Sequence, residues 1–326
     1  MKNPRKLNLM EHLTISFLLT RRCNAQCRHC GAWPSQNKLK LESSSKTAPD
    51  FTIDEIDTYI DEIERTPEIE AVGLTGGEVF IVKPLLKKAV DRLREIETPY
   101  TIVTNAFWAK SLKAAKGVLK DFTDCIGIGF SSDSFHDEFI PVENVVNAAK
   151  AAESLNIPYL VRATMKVGDT EEGMKEWFKN GGLPDIKAVQ FAPVMYIGEA
   201  TEKMSPDEFP DKNPTVACLS LRTPFIMPGG NVYACCGEAA NIKGKHPLFL
   251  GNLNETSLKT LIKKYDTNPF IIALYTKGPR AMWELLNEKP ATLRDELLLR
   301  SPCGTCRLLF EDGERIERLL KILNVE

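Results

Sequence analysis

Charge of one sign is what this sequence lacks. Its 42 lysines and arginines stand against 44 aspartates and glutamates, a formal net of −2, so no global field draws it to nucleic acid or to an anionic membrane. Long apolar runs are missing too. The stretch Leu13 to Leu19 is too short to span a bilayer, and no small-residue cleavage site follows it, so it reads as a buried strand of a cytoplasmic protein. No period recurs, which excludes a repeat architecture. Cysteine is what the chain has in quantity. Nine cysteines, an odd number, in 326 residues with no visible signal segment argue against a disulfide framework and for metal chemistry in a reducing compartment.

Short apolar runs alternate with helical patterns through the first two thirds of the chain. Strands are predicted at Leu13–Leu19, Glu70–Thr75, Tyr100–Thr104, Cys125–Ser131, Pro158–Met165 and Lys187–Pro193, with amphipathic stretches such as Ile53–Glu64, Leu85–Ile96 and Val142–Leu155 between them. Strands separated by helices pair in parallel through right-handed crossovers, giving a doubly wound sheet or a barrel, and either gathers ligands at the carboxyl ends of its strands. From about Thr201 the texture changes to proline, glycine and a cysteine-bearing hairpin pattern. We expect one domain over 1–200 and a smaller one over 201–326. The serine- and lysine-rich stretch Pro34–Pro49 reads as a long loop.

Two motifs carry the chemistry. Cys23-Asn-Ala-Gln-Cys27-Arg-His-Cys30 follows the first strand, where three thiolates in one short loop converge on one metal centre. Three ligands leave one position of a four-iron cluster open, as chemistry requires, whereas a structural site is closed. A zinc ion that borrows His29 as fourth ligand satisfies the same spacing. Gly76-Gly77-Glu78 follows the second strand, at the same carboxyl edge; its glycines admit a ligand close to the backbone, and Glu78 can hold an ammonium group.

In this order, on successive strands, the two motifs resemble the CxxxCxxC loop and the GGE motif of the radical S-adenosylmethionine (SAM) superfamily. The resemblance covers roughly Leu13 to Met195 and implies an α/β fold, a partial (β/α)6 TIM-like barrel. It implies that Cys23, Cys27 and Cys30 bind a [4Fe–4S] cluster, that Gly76, Gly77 and Glu78 receive the SAM amino group, and that the cluster cleaves SAM to a 5′-deoxyadenosyl radical. His29 holds a place that is usually aromatic and near the adenine; stacking there and simple exposure in the loop are both open. By the same resemblance Asn105, at the end of the third strand, is a cofactor contact, Ser131 and Asp133 contact the ribose, and Arg162 pairs with the SAM carboxylate. Each has a plainer alternative as a turn former, a helix cap or a bridge to a nearby carboxylate. His136 reads as a surface-loop histidine.

Four more cysteines form a second set. Cys218 and Cys235 flank the hairpin signal Pro228-Gly229-Gly230, and Cys303-Gly-Thr-Cys306 adds a CxxC knuckle. This resembles the shortened SPASM, or twitch, domain, a small cysteine-rich α+β unit with one auxiliary [4Fe–4S] cluster, which brings the expected cofactors to two clusters and SAM. A structural zinc fits the same four thiolates. Cys125 behaves as a small buried hydrophobe. Cys236, next to Cys235, is sent to the opposite side by strand alternation, and with the Ser-Ser-Asp-Ser-Phe-His run and Gly278-Pro279 it is similar to the radical SAM epimerases of ribosomally made peptides. There a cysteine gives a hydrogen atom to a Cα radical. The alternatives are a dehydrogenase or other peptide maturase whose auxiliary cluster accepts an electron and, from another class, a non-catalytic zinc scaffold. The expected partners are a peptide and an electron donor such as flavodoxin or ferredoxin, with neither nucleic acid nor membrane. Because the first strand begins within about a dozen residues, no leader-binding domain is expected ahead of it. Docking would then fall to Pro34–Pro49 or to the carboxyl-terminal helix, whose Ile316, Leu319, Leu320 and Leu323 otherwise read as packed core.

Overall fold

The computed structural model describes residues 13–31, 50–211, 218–235 and 237–323. Six strands, β1 (Leu13–Thr20), β2 (Ile69–Gly76), β3 (Tyr100–Thr104), β4 (Gly127–Ser131), β5 (Tyr159–Met165) and β6 (Val189–Pro193), pair in parallel in chain order. Strands laid down in sequence with right-handed crossovers keep all their helices on one face. The register shows it. Val72, Ile102, Ile128 and Val161 are buried, whereas the opposite face carries Ser16, Gly73 and Thr101 side by side and, further along, Gly129 against Arg162. Strands β6 and β1 are not neighbours, so the sheet is open and resembles an opened barrel with a polar, small-residue inner face.

Each helix is made by ordinary local rules. Thr52 and Glu55 form a capping box ahead of Ile53–Glu64, whose Ile56, Tyr59, Ile60 and Ile63 are buried. Burying each such side chain contributes about 1.5–3 kcal/mol. Alanines 148, 149, 151 and 152 in Val142–Ser154 are likewise buried. The predicted strand starts at Cys125 and Lys187 shift inward, because Cys125 precedes β4 and Ile186–Ala188 is a 3₁₀ turn.

Beyond residue 200 the sheet continues. β7 (Phe225–Ile226) pairs in parallel with β1, and β8 (Asn231–Tyr233) and β9 (Phe249–Asn252) follow antiparallel. Gly229 and Gly230 turn the hairpin at φ of 84° and 83°, backbone angles glycine reaches without strain. The helix Pro269–Leu285 kinks at Gly278, with φ 84° and ψ 162°, ahead of Pro279. In the last helix, Gly313–Ile322, Leu319 is buried and Ile316, Leu320 and Leu323 pack against the core, so that stripe is core rather than a free docking face. The Pro34–Pro49 loop lies outside the described residues. Among the described residues no helix is long and apolar enough to cross a membrane.

Candidate active site

The loop that leaves β1 is fastened by backbone. Gly77 N–H donates to Thr20 O at 2.8 Å and Glu78 N–H to Arg22 O at 2.9 Å. A Cβ on Gly76 would come 2.6 Å from Thr20 O, and one on Gly77 would overlap Arg22 O, so both glycines are required by the close approach of two chains. Cys30 N–H turns back to Cys27 O at 3.2 Å. The Arg22 guanidinium pairs with Asp50, and Asn105 Nδ2 donates to Asn24 Oδ1 at 3.0 Å. On its far side the loop meets Gly198 and Glu199: Glu199 N–H donates to Cys30 O at 2.8 Å, and a Cβ on Gly198 would lie 2.6 Å from the Gly31 carbonyl carbon. Gly198 belongs to neither sequence motif, although a glycine in the segment after the sixth strand repeats the signal seen after the second.

A cavity of about 220 Å³ opens at this edge, and Cys23, Cys27, Cys30, His29, Gly76, Gly77, Asn105 and Ser131 all line it. Three expected contacts do not. Glu78 is fully buried; its Oε1 accepts from Phe80 N–H at 3.0 Å and Thr104 Oγ1 at 2.8 Å, its Oε2 from Asn105 N–H at 2.7 Å. Its carboxylate ties the end of β2 to the end of β3 instead of facing the cavity, and burial pushes its pKa up to about 7 against those hydrogen bonds. Asp133, also fully buried, accepts from Phe135 N–H, His136 N–H and Thr164 N–H at 3.0 Å each. Burial alone would raise its pKa, but His136, His29 and these donors hold it well below the usual carboxylate range. Arg162 projects onto the inner face of the sheet, in a neighbouring pocket of about 270 Å³ with Thr101, Gly127 and Gly129.

His29 is not an exposed loop side chain. Its ring stacks on Phe135, with centroids 4.5 Å apart and planes 24° apart, and meets His136 edge-on at 4.9 Å. Phe135 is a shared platform, since Arg28 lies over it at 5.4 Å and Lys166 at 5.3 Å. His136 corrects the expectation of a surface histidine. It lines the cavity, and its Nδ1 sits 3.0 Å from Asp133 Oδ1. Ligand atoms of Cys27, His29 and His136 lie within 4.8 Å of one another.

The second cysteine set also comes together. Cys306 is buried, and burial with the neighbouring Cys218, Cys303 and Cys235 pushes its thiol well above its ordinary pKa. Four thiols that oppose one another's ionisation are a donor set that a bound cation relieves. Ser301 caps the helix Pro302–Phe310, which carries Cys303 and Cys306 one turn apart near its start. The hairpin brings only Cys235, just past β8. Cys218 lies ahead of a 3₁₀ turn and is held by its N–H to Leu274 O at 3.2 Å. Cys125 is buried, its Sγ 3.1 Å from Gly127 O, and its pKa is raised by burial to about 11, the state of an inert small hydrophobe. Cys236 lies outside the described residues.

Residues 17–180 match the radical SAM superfamily. Over 321 residues, 94% of this chain and 95% of the other, the sequence is 22% identical to YydG of Bacillus subtilis (strain 168), whose name assigns it provisionally to peptide biosynthesis. Among solved structures, BtrN in complex with AdoMet and 2-DOIA aligns with a TM-score of 0.50 at 13% identity, covering 83% of this chain and 89% of that one. BtrN in an open conformation aligns at 0.40 and 14% identity, covering 82% and 86%.

Proposed function

The chain belongs to the radical SAM superfamily of enzymes, and from that premise we propose that it is a peptide-modifying member in which Cys23, Cys27 and Cys30 hold the SAM-cleaving [4Fe–4S] cluster. The observation that carries this reading is that one cavity at the carboxyl edge of the sheet is shared by these three cysteines and the Gly76–Gly77 backbone. A three-thiolate donor set beside a backbone that only glycine allows fits a four-iron cluster with one open position. Bound together, cluster and SAM supply one-electron cleavage of the sulfonium and a carbon radical that abstracts a substrate hydrogen atom. Membership in an enzyme superfamily sets aside the non-catalytic zinc scaffold.

The chain's own residues divide the remaining work. With the Glu78 carboxylate committed to Thr104 and Asn105, recognition of the SAM amino group falls to the Gly76–Gly77 backbone. His29, braced by Phe135, packs on the adenine, and Asn105 and Ser131 offer polar contacts from the ends of β3 and β4. Residues 201–326 act as an auxiliary-cluster domain, with Cys218, Cys235, Cys303 and Cys306 as the four ligands of a second, closed [4Fe–4S] cluster. The substrate is a peptide, in keeping with the name of its Bacillus relative, and flavodoxin or ferredoxin supplies electrons.

The specific reaction we assign is epimerisation at Cα, with Cys236 giving a hydrogen atom to the substrate radical. Its thiyl is then returned to the thiol by one electron and one proton. In D2O the peptide product should gain a single deuterium at the changed Cα with no change in redox state, and Cys236→Ala should cleave SAM without forming it. Unchanged product yield in Cys236→Ala removes the epimerase assignment. A product lighter by two hydrogens replaces it with dehydrogenation.

A further inference from the structure

The two cysteine sets lie far apart in sequence, yet one short turn touches both. The turn Glu238–Asn241 follows Cys235 by three residues. On one side it packs against the helix Pro302–Phe310 that carries Cys303 and Cys306, and a Cβ on Gly237 would lie 3.3 Å from Cys303 Sγ and 3.8 Å from Cys235 Sγ. On the other side it grips the back of the first cysteine loop. Glu238 Oε1 accepts from Gly198 N–H at 3.2 Å, and Asn241 Nδ2 donates to Gly31 O at 3.2 Å. The next residue, Glu199, gives its N–H to Cys30 O at 2.8 Å. Gly198 needs its positive φ of 54° to fit against this loop.

Glu238 is only 1% exposed. A carboxylate withdrawn from water is costly unless its partners compensate, and here those partners are the Gly198 N–H, the Asn241 side chain and the Arg307 guanidinium, 4.0 Å away and next in sequence to Cys306. The geometry points to Glu238 and Asn241 as positioning residues that couple the two cysteine sites. Occupation of the second set draws Cys235, Cys303 and Cys306 together and fixes the turn. The fixed turn then holds the Cys30–Gly31 end of the first loop in the shape that binds SAM. This rests on the radical SAM reading of both sets. A bound ion at one site therefore tightens a ligand at the other, and the coupling is reciprocal.

The test is SAM affinity by equilibrium dialysis on reconstituted, oxidised protein, where no reductant is present to cleave SAM. With its second site removed, Cys303→Ala/Cys306→Ala should keep about four irons and bind SAM about tenfold more weakly. Glu238→Ala and Asn241→Ala should each weaken SAM binding with the iron content intact. Adding Glu238→Ala to the double cysteine variant should cost little more than either change alone. Glu238→Gln, which still accepts from Gly198 N–H, should stay within about twofold of native. Native affinity in both Glu238→Ala and Asn241→Ala overturns the coupling, however the cysteine variant folds, and so does a fully additive loss. Native protein that binds no SAM overturns the underlying reading as well.

Discussion

At the scale of the residue, Glu78 shows how a motif glutamate is put to structural use. Its carboxylate satisfies two backbone N–H groups and the Thr104 hydroxyl in a site closed to water. Removing it strands those donors, so Glu78→Ala should lose about 2–3 kcal/mol in urea unfolding. Its pKa, raised by burial to about 7 from an ordinary 4.5, means that the folded chain binds this proton more tightly than the unfolded one. Its contribution to stability is therefore fully present below about pH 4.5 and declines as pH rises towards 7. Thermal melts should show that decline flattened in Glu78→Gln; an unaltered slope would place the titrating group elsewhere. The cysteine spacings and the Gly-Gly pair were legible in the sequence because their chemistry is local. The partners of Glu78 were not, since Thr104 and Asn105 arrive from the next strand, 26 and 27 positions away. His136 was misread for a related reason: Asp133, three positions before it, looks in sequence like an ordinary turn former, and the Thr164 N–H that helps hold it inside arrives from the fifth strand.

At the scale of the element, the cysteine loop keeps its course because β2 ends in two glycines. Gly77→Ala would drive a methyl group into Arg22 O and should displace the loop, so reconstituted protein should lose about four irons while keeping the second set loaded. Full iron content in this variant would show that the loop relaxes freely. Gly117 is the contrast. It sits in the helix Leu112–Leu119 with nothing within 4 Å of an added Cβ, so Gly117→Ala should stabilise the protein by about 0.5–1 kcal/mol. The core strands and main helices could be read from sequence because their apolar period repeats over many residues. The route of Cys218 could not. Its approach depends on Leu274 in the helix Pro269–Leu285, a contact that no local pattern encodes.

At the scale of the whole molecule, β7 joins β1 directly, so the region beyond residue 200 extends the sheet that bears the first cysteine loop. The change of composition near Thr201 was visible, but the shared sheet was not, because a two-residue strand leaves no periodic signal. His246 belongs to this extension. It stacks on Tyr233, and burial lowers its pKa to about 4. The folded chain thus holds this imidazole neutral, and the stability it contributes is lost as pH falls from about 6.5 towards 4, opposite in sign to the trend from Glu78. The His246 ring protons should accordingly titrate near pH 4 by NMR, and a titration near 6.5 would mean that the ring is solvated.

The account turns on Cys23, Cys27 and Cys30, and the most direct measurement is 5′-deoxyadenosine release from SAM by anaerobically reconstituted, dithionite-reduced protein. Native protein should release it, Cys303→Ala/Cys306→Ala should retain measurable release, and Cys23→Ala/Cys27→Ala/Cys30→Ala should release none. Release from that triple variant at the native rate, or none from native protein loaded with about eight irons, would contradict the account.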